Sequence, residues 1–149
     1  MSTPMATTRL PLPGIATTAT AACVALLVRL AVRTARFDRV IAAVGWLAGT
    51  TRREATTDEV SRALGAVDAA AAWVPARIAC LERSLTATVL LAARRRGVTW
   101  RMGVRTPPLA AHAWLADLHG EPIGEPMTTA DYRPLITISA PTFPNRSTP

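Results

Sequence analysis

At 149 residues, half of them hydrophobic but only 5% aromatic, the chain is long enough to bury one core without disulfide or metal staples and too apolar to be mainly disordered. Its basic residues are all arginine, and the formal charge of +7 favours acidic partners, whether nucleic acid, an anionic membrane surface or an acidic peptide, without choosing among them. Two cysteines and two histidines are too few to argue for a metal centre or a disulfide framework, so neither a metal nor a cofactor is expected.

Residues 1–14 hold Pro4, Pro11 and Pro13, cannot sustain a helix, and read as a flexible N-terminal arm. Residues 17–34 have helix-forming composition. The apolar run at 15–32 approaches the length of a membrane-spanning helix, but Arg29 and several threonines interrupt it, so a packing helix in a cytoplasmic domain is the expectation. Phe37, Val40, Ile41, Val44 and Leu47 recur at three- and four-residue spacing and predict a second amphipathic helix that stops near Gly49. Thr56 and Glu59 stand at capping-box spacing, with Asp58 between them facing the positive end of the dipole, and start a third helix that runs to about Trp73 before Pro75 breaks it. Residues 15–75 thus form a helical subdomain.

The fourth helix is the best signalled. Leu81, Leu85, Val89 and Ala92 mark its apolar face over residues 81–96, Arg94, Arg95 and Arg96 occupy its last turn, and Gly97 lies just beyond. Short strand-like runs follow at 98–104, 111–118 and 135–138, separated by Pro107, Pro108, Gly120 and Pro126. They predict a small antiparallel sheet, so the fold class is α+β, with residues 76–140 as its core. The polar, proline-rich stretch 141–149 reads as a disordered tail.

Three residues carry the candidate chemistry. Cys80 stands at the start of the fourth helix, where unpaired N–H groups and the helix dipole favour a thiolate, the reactive form of the side chain. Cys23 lies inside an apolar helical run with no such activation. His112 opens a predicted strand after a proline-rich loop, and a thiol at a helix start with an imidazole on a following strand is the pair that nucleophilic catalysis needs. His119, beside Gly120, reads as an exposed turn residue. A third group would hold the imidazole, with Asp117, Glu121, Glu125 and Asp131 downstream of it. Asp117 is an odd number of residues from His112 and faces the other side of a regular strand. Glu125 shares the face of His112 if the hairpin loop is two residues, His119 and Gly120; a three-residue loop reverses the argument. The choice between Glu125 and Asp117 stays open on these grounds. The arginines at 94–96 read as dipole-stabilising cations rather than a phosphate site, and Trp100 and Trp114 read as core residues, with Trp114 placed to shield an ion pair at His112.

The run Cys80, Leu81, Glu82, Arg83, Ser84, Leu85, then Arg95, Arg96, Gly97, Val98, then Gly103, Val104, then His112, Ala113, Trp114, then Gly124, Glu125, Pro126 and Tyr132 resembles the lasso-peptide leader peptidases, a small branch of the transglutaminase-like, papain-like superfamily. The resemblance covers most of residues 77–135. It implies a nucleophile-bearing helix packed on an antiparallel sheet that carries the base, with Cys80 as nucleophile, His112 as acid and base, and Glu125 at the place of the usual acidic third member. That member is commonly Asp, and the loop before Glu125 is one residue longer here. The resemblance further implies a precursor peptide as substrate, a separate leader-recognition protein as partner and the macrocycle-forming lasso cyclase as a further candidate partner. Neither nucleic-acid binding nor stable membrane insertion is expected. A non-catalytic adaptor on the same fold is the competing expectation, and a basic membrane-surface or nucleic-acid protein a third.

Overall fold

Helix packing in this chain starts from small side chains. The computed structural model describes residues 13–74 and 77–143; nearly all of the expected N-terminal arm, the break at Pro75 and the expected tail from residue 144 onward lie outside the described residues. Helix α1 (Ile15–Thr34) buries Thr18, Ala21 and Ala25, which recur at three- and four-residue spacing and let its backbone approach α3 and α4 closely. Ala21 meets Ala66 and Ala70 of α3 in a separate small cluster. The outer face of α1 leaves Leu26, Leu27 and Leu30 exposed, and by length and composition this helix is apolar enough to cross a membrane. Its Arg29 nonetheless turns inward, donating to the carboxylate of Glu82 at 3.1 Å and to the carbonyl of Arg77.

Helix α2 (Phe37–Gly49) forms where its periodicity predicts and buries Val44 and, outside the predicted set, Ala48; Val40 and Ile41 pack partly buried against the core, while Phe37 of the predicted face stays exposed. A two-residue strand, β1 (Arg53–Glu54), precedes α3 (Thr57–Ala70). The capping box at the start of α3 is formed in full: Thr56 Oγ1 accepts from the Glu59 N–H and Glu59 accepts from the Thr56 N–H. Helix α3 contributes Val60, Ala63, Leu64 and Val67 to the main core, where each fully buried large aliphatic side chain contributes about 1.5–3 kcal/mol.

Helix α4 (Cys80–Ala93) is the hub. Its first turn is completed by Glu82, whose buried carboxylate accepts the Ala79 N–H while paired to Arg29. Thr86 and Thr88 sit in the core because their hydroxyls donate back to the carbonyls of Glu82 and Ser84, one turn earlier. The helix ends three residues before the sequence-based boundary. Arg95 adopts φ 59°, the left-handed conformation expected of Gly97, so Arg96 and Gly97 are free to form β2 (Arg96–Gly97), which pairs in parallel with β1. Gly97 is needed instead for close packing, since a Cβ there would collide with Ala140 and lie 2.9 Å from Thr51 Oγ1. The arginine run is likewise not a set of last-turn cations: Arg95 donates to the Thr50 carbonyl and Arg96 pairs with Glu59.

Strands β3 (Thr99–Arg105), β4 (Ala110–Ala116) and β5 (Arg133–Ile138) form an antiparallel sheet in the order β4-β3-β5. A 3-10 helix (Met127–Asp131) leads into β5. Register pairs Trp100 with Leu115 and Met102 with Ala113, and with Ile136 and Ile138 these residues make the face that meets the helical core. The architecture is therefore the α+β arrangement the sequence predicts. Trp100, wholly buried, donates its indole N–H to Ser84 Oγ at 3.0 Å, and Ser84 in turn donates to the Leu81 carbonyl, which ties β3 to the first two turns of α4. Ser84→Ala leaves that indole N–H buried without an acceptor, and we expect a loss of about 1–3 kcal/mol in urea unfolding, with the fold retained by circular dichroism.

Candidate functional site

His112 is the third residue of β4, and cross-strand pairing sets Gly103 opposite it. Strand alternation puts Trp114 on the same face, and the two rings stack with centroids 5.9 Å apart and planes 14° from parallel. Tyr132 lies with its centroid 5.2 Å from the imidazole and 6.4 Å from the Trp114 ring, so the three rings form a triangular cluster, and the Arg105 guanidinium lies over the tyrosine ring at 5.1 Å. Within that cluster the His112 side chain is 19% exposed. Gly103 makes the cluster possible: a Cβ there would meet the Arg133 carbonyl and come within 3.0 Å of the Trp114 ring.

The acidic partner reaches His112 by a route the strand argument did not foresee. Asp117 N–H donates to the Glu121 carbonyl, Ala116 bridges Pro122, and Ile123 N–H donates to the Leu115 carbonyl. Leu118, His119 and Gly120 therefore make the turn, a three-residue loop in place of the expected two, and β4 stops at Ala116 rather than 118. The turn length is set by Asp117, whose Oδ1 accepts the N–H groups of His119 at 2.8 Å and Glu121 at 2.9 Å. Those bonds, led by the one from Glu121, hold its carboxyl below the usual carboxylate range. With that register, continued pairing would carry Glu125 to the wrong face. The ladder instead ends at Ile123, and Gly124, at φ 66°, redirects the chain so that Glu125 arrives from a loop. Its Oε2 lies 2.8 Å from His112 Nε2.

The other oxygen of Glu125 is also engaged. Arg83 Nη1, on α4, donates to Oε1 at 2.9 Å, while Arg83 Nε and Nη2 grip Asp68 of α3 at 2.6 and 2.9 Å. The Asp68 hydrogen bond holds the guanidinium proton above its ordinary value. A continuous chain Asp68, Arg83, Glu125, His112 thus joins α3, α4, the loop and β4. The Glu125 side chain is only 7% exposed within it. Because Nε2 faces a carboxylate, a neutral imidazole carries its proton there and keeps the lone pair on Nδ1.

Cys80 is the first residue of α4 and half-buried, one turn ahead of Arg83. The N–H groups of Cys80, Leu81 and Glu82 precede the first intrahelical bond, which runs from Arg83 N–H to the Ala79 carbonyl, so they have no acceptor within the helix. The hydrogen bonds of the described residues join His112 to Glu125 and Glu125 to Arg83, and none joins the Cys80 thiol to the imidazole. Cys23 is exposed on α1, remote from any of these groups in sequence. Among the described residues no group of three or more His, Cys, Asp or Glu side chains is disposed to hold a metal ion. Sequence reasoning picked Glu125 but gave Arg83 no role. Its partners lie 15 and 42 residues away, beyond the reach of any local pattern.

Gly124 is the residue on which the route to Glu125 turns. Gly124→Ala forces an L side chain into the left-handed region and presses it against Leu64 Cδ1, so we expect a loss of about 1–2 kcal/mol in urea unfolding.

No curated protein and no solved structure matches the chain. A family model described as the transglutaminase-like superfamily does match, over residues 24–137, from within α1 to the penultimate residue of β5. That superfamily commonly includes cysteine peptidases and transglutaminases. The matched span takes in α4 with Cys80, β4 with His112 and the loop with Glu125, so the chain belongs to the transglutaminase-like superfamily.

Proposed function

We propose that the protein is a cytoplasmic cysteine endopeptidase that removes the leader from a ribosomally made lasso precursor peptide, working with a separate leader-recognition protein and upstream of the lasso cyclase. The observation that carries the reading is the 2.8 Å bond between His112 Nε2 and Glu125 Oε2, which leaves Nδ1 to serve as the base. Cys80 supplies the nucleophile once His112 Nδ1 has taken its thiol proton. The thiolate attacks the carbonyl carbon at the junction of leader and core, and the N–H groups at the start of α4 receive the developing oxyanion. His112 then protonates the departing amine of the core peptide, leaving the leader as a thioester on Cys80. Water attacks the thioester carbonyl as His112 takes its proton, and the thiol and a leader carboxylate are released.

The aromatic cluster supports this assignment, because Trp114 and Tyr132 cover part of the imidazole while the Glu125 side chain is itself buried, and an ion pair withdrawn from water is stronger. A separate recognition protein would act by raising the effective concentration of the junction at Cys80. The missing Cys80 to His112 hydrogen bond favours a second reading, a non-catalytic adaptor that binds precursor peptide or cyclase on the same fold.

Mass spectrometry of the precursor, incubated with this protein with and without the recognition protein, separates the two. We expect cleavage at one bond, abolished by Cys80→Ala and slowed about a hundredfold or more by Glu125→Gln, which cannot fix the imidazole tautomer. Asp117→Asn should change the rate by no more than about twofold, since its carboxylate serves the turn. A precursor left intact in both mixtures points to the adaptor.

A further inference from the structure

We propose that Arg83 is a positioning residue, anchored by Asp68, that holds Glu125 as a hydrogen-bond acceptor facing His112 Nε2 and thereby keeps the Nδ1 lone pair available; this rests on the reading of His112 as the base. Glu125 needs such a device. It stands in a loop after Gly124, with no ladder bond to fix it, and a loop carboxylate rotates freely unless both oxygens are engaged. The guanidinium is planar and rigid, so once Nε and Nη2 are committed to Asp68 the direction of Nη1 is fixed as well. That direction meets Glu125 Oε1 at 2.9 Å and turns Oε2 toward the imidazole. The support is layered: Asp68 is half exposed, Arg83 is 23% exposed, and Glu125 is 7% exposed.

Direction decides the tautomer. A Glu125 turned away from Nε2 would leave the imidazole free to carry its proton on either nitrogen, and a proton on Nδ1 removes the base. A tie that served only to hold α3, α4 and the loop together would tolerate a change of proton location at His112, whereas a positioning residue would not.

The test uses the full chain labelled at histidine nitrogen. His119→Gln removes the only other histidine, so the tautomer of His112 can be read directly by NMR at a pH where the imidazole is neutral. We expect the Nε2-protonated form in the parent, a mixture or the Nδ1-protonated form in Arg83→Gln, and a partial shift in Asp68→Asn. Arg83→Lys should restore the parent form only in part, because one ammonium cannot reproduce the fork. In the cleavage assay, Arg83→Gln should lower kcat by about 10- to 100-fold with KM changed by less than about twofold. Should Arg83→Gln fail to fold, the half-exposed Asp68→Asn supplies the reading. An unchanged tautomer in the folded variants overturns the proposal. A parent protein that never cleaves the precursor, yet shows the tautomer shift in Arg83→Gln, supports the positioning role and overturns the peptidase reading.

Discussion

A carboxylate almost wholly withdrawn from water is tolerable only where positive or hydrogen-bond-donating groups meet it, and Glu125 is met on both oxygens. That requirement couples parts of the fold that otherwise have little in common. Its loop must be turned by Gly124, α4 must present Arg83 at the right height, and α3 must offer Asp68 to orient the fork. On β4 the imidazole then stands against Trp114 and Tyr132 at the fixed end of the chain. The site is therefore a property of four elements packed together, and no single one of them could assemble it.

Helix α4 makes that packing possible. Small and hydroxyl-bearing residues along it, Ser84, Thr86, Ala87 and Thr88, are buried, and their hydroxyls are satisfied within the helix itself. Such a helix can be covered on several sides at once, by α1, α3 and the sheet, without stranded polar groups. The Trp100 to Ser84 bond fixes it against β3 close to its first turn, so the end bearing Cys80 is better held than a helix terminus would be alone.

The helices were legible because their signals are local: the spacing of Val40, Val44 and Leu47, and the Thr56 and Glu59 box, depend on residues within a turn or two of each other. What failed was also local, but used residues in uncommon roles. Arg95 takes the left-handed conformation usually assigned to glycine, so Gly97 misled the reading of where α4 ends. Asp117 captures two backbone N–H groups and lengthens the hairpin turn by one residue, which reverses the strand-face argument. Glu125 is the partner of His112 although the register that would put them on one face does not occur. The chain leaves the ladder before parity can count against it. The β1 and β2 pair is two residues long and carries no periodic signal.

The arginine-only composition also acquires a partial physical meaning. Arg29 serves the Glu82 carboxylate and the Arg77 carbonyl from Nη1, Arg53 and Arg96 converge on Glu59, and Arg83 serves Asp68 and Glu125 from different nitrogens. At Arg83 one cation addresses two carboxylates in fixed directions, which a planar fork does and a single ammonium on a flexible stem does poorly. With few carboxylates in the chain, such sharing lets a small number of acidic groups order several helix ends and loops. The same economy makes Glu125 hard to replace, since a substitution there frees Arg83 Nη1 and His112 Nε2 at once and leaves α4 and β4 without their common partner.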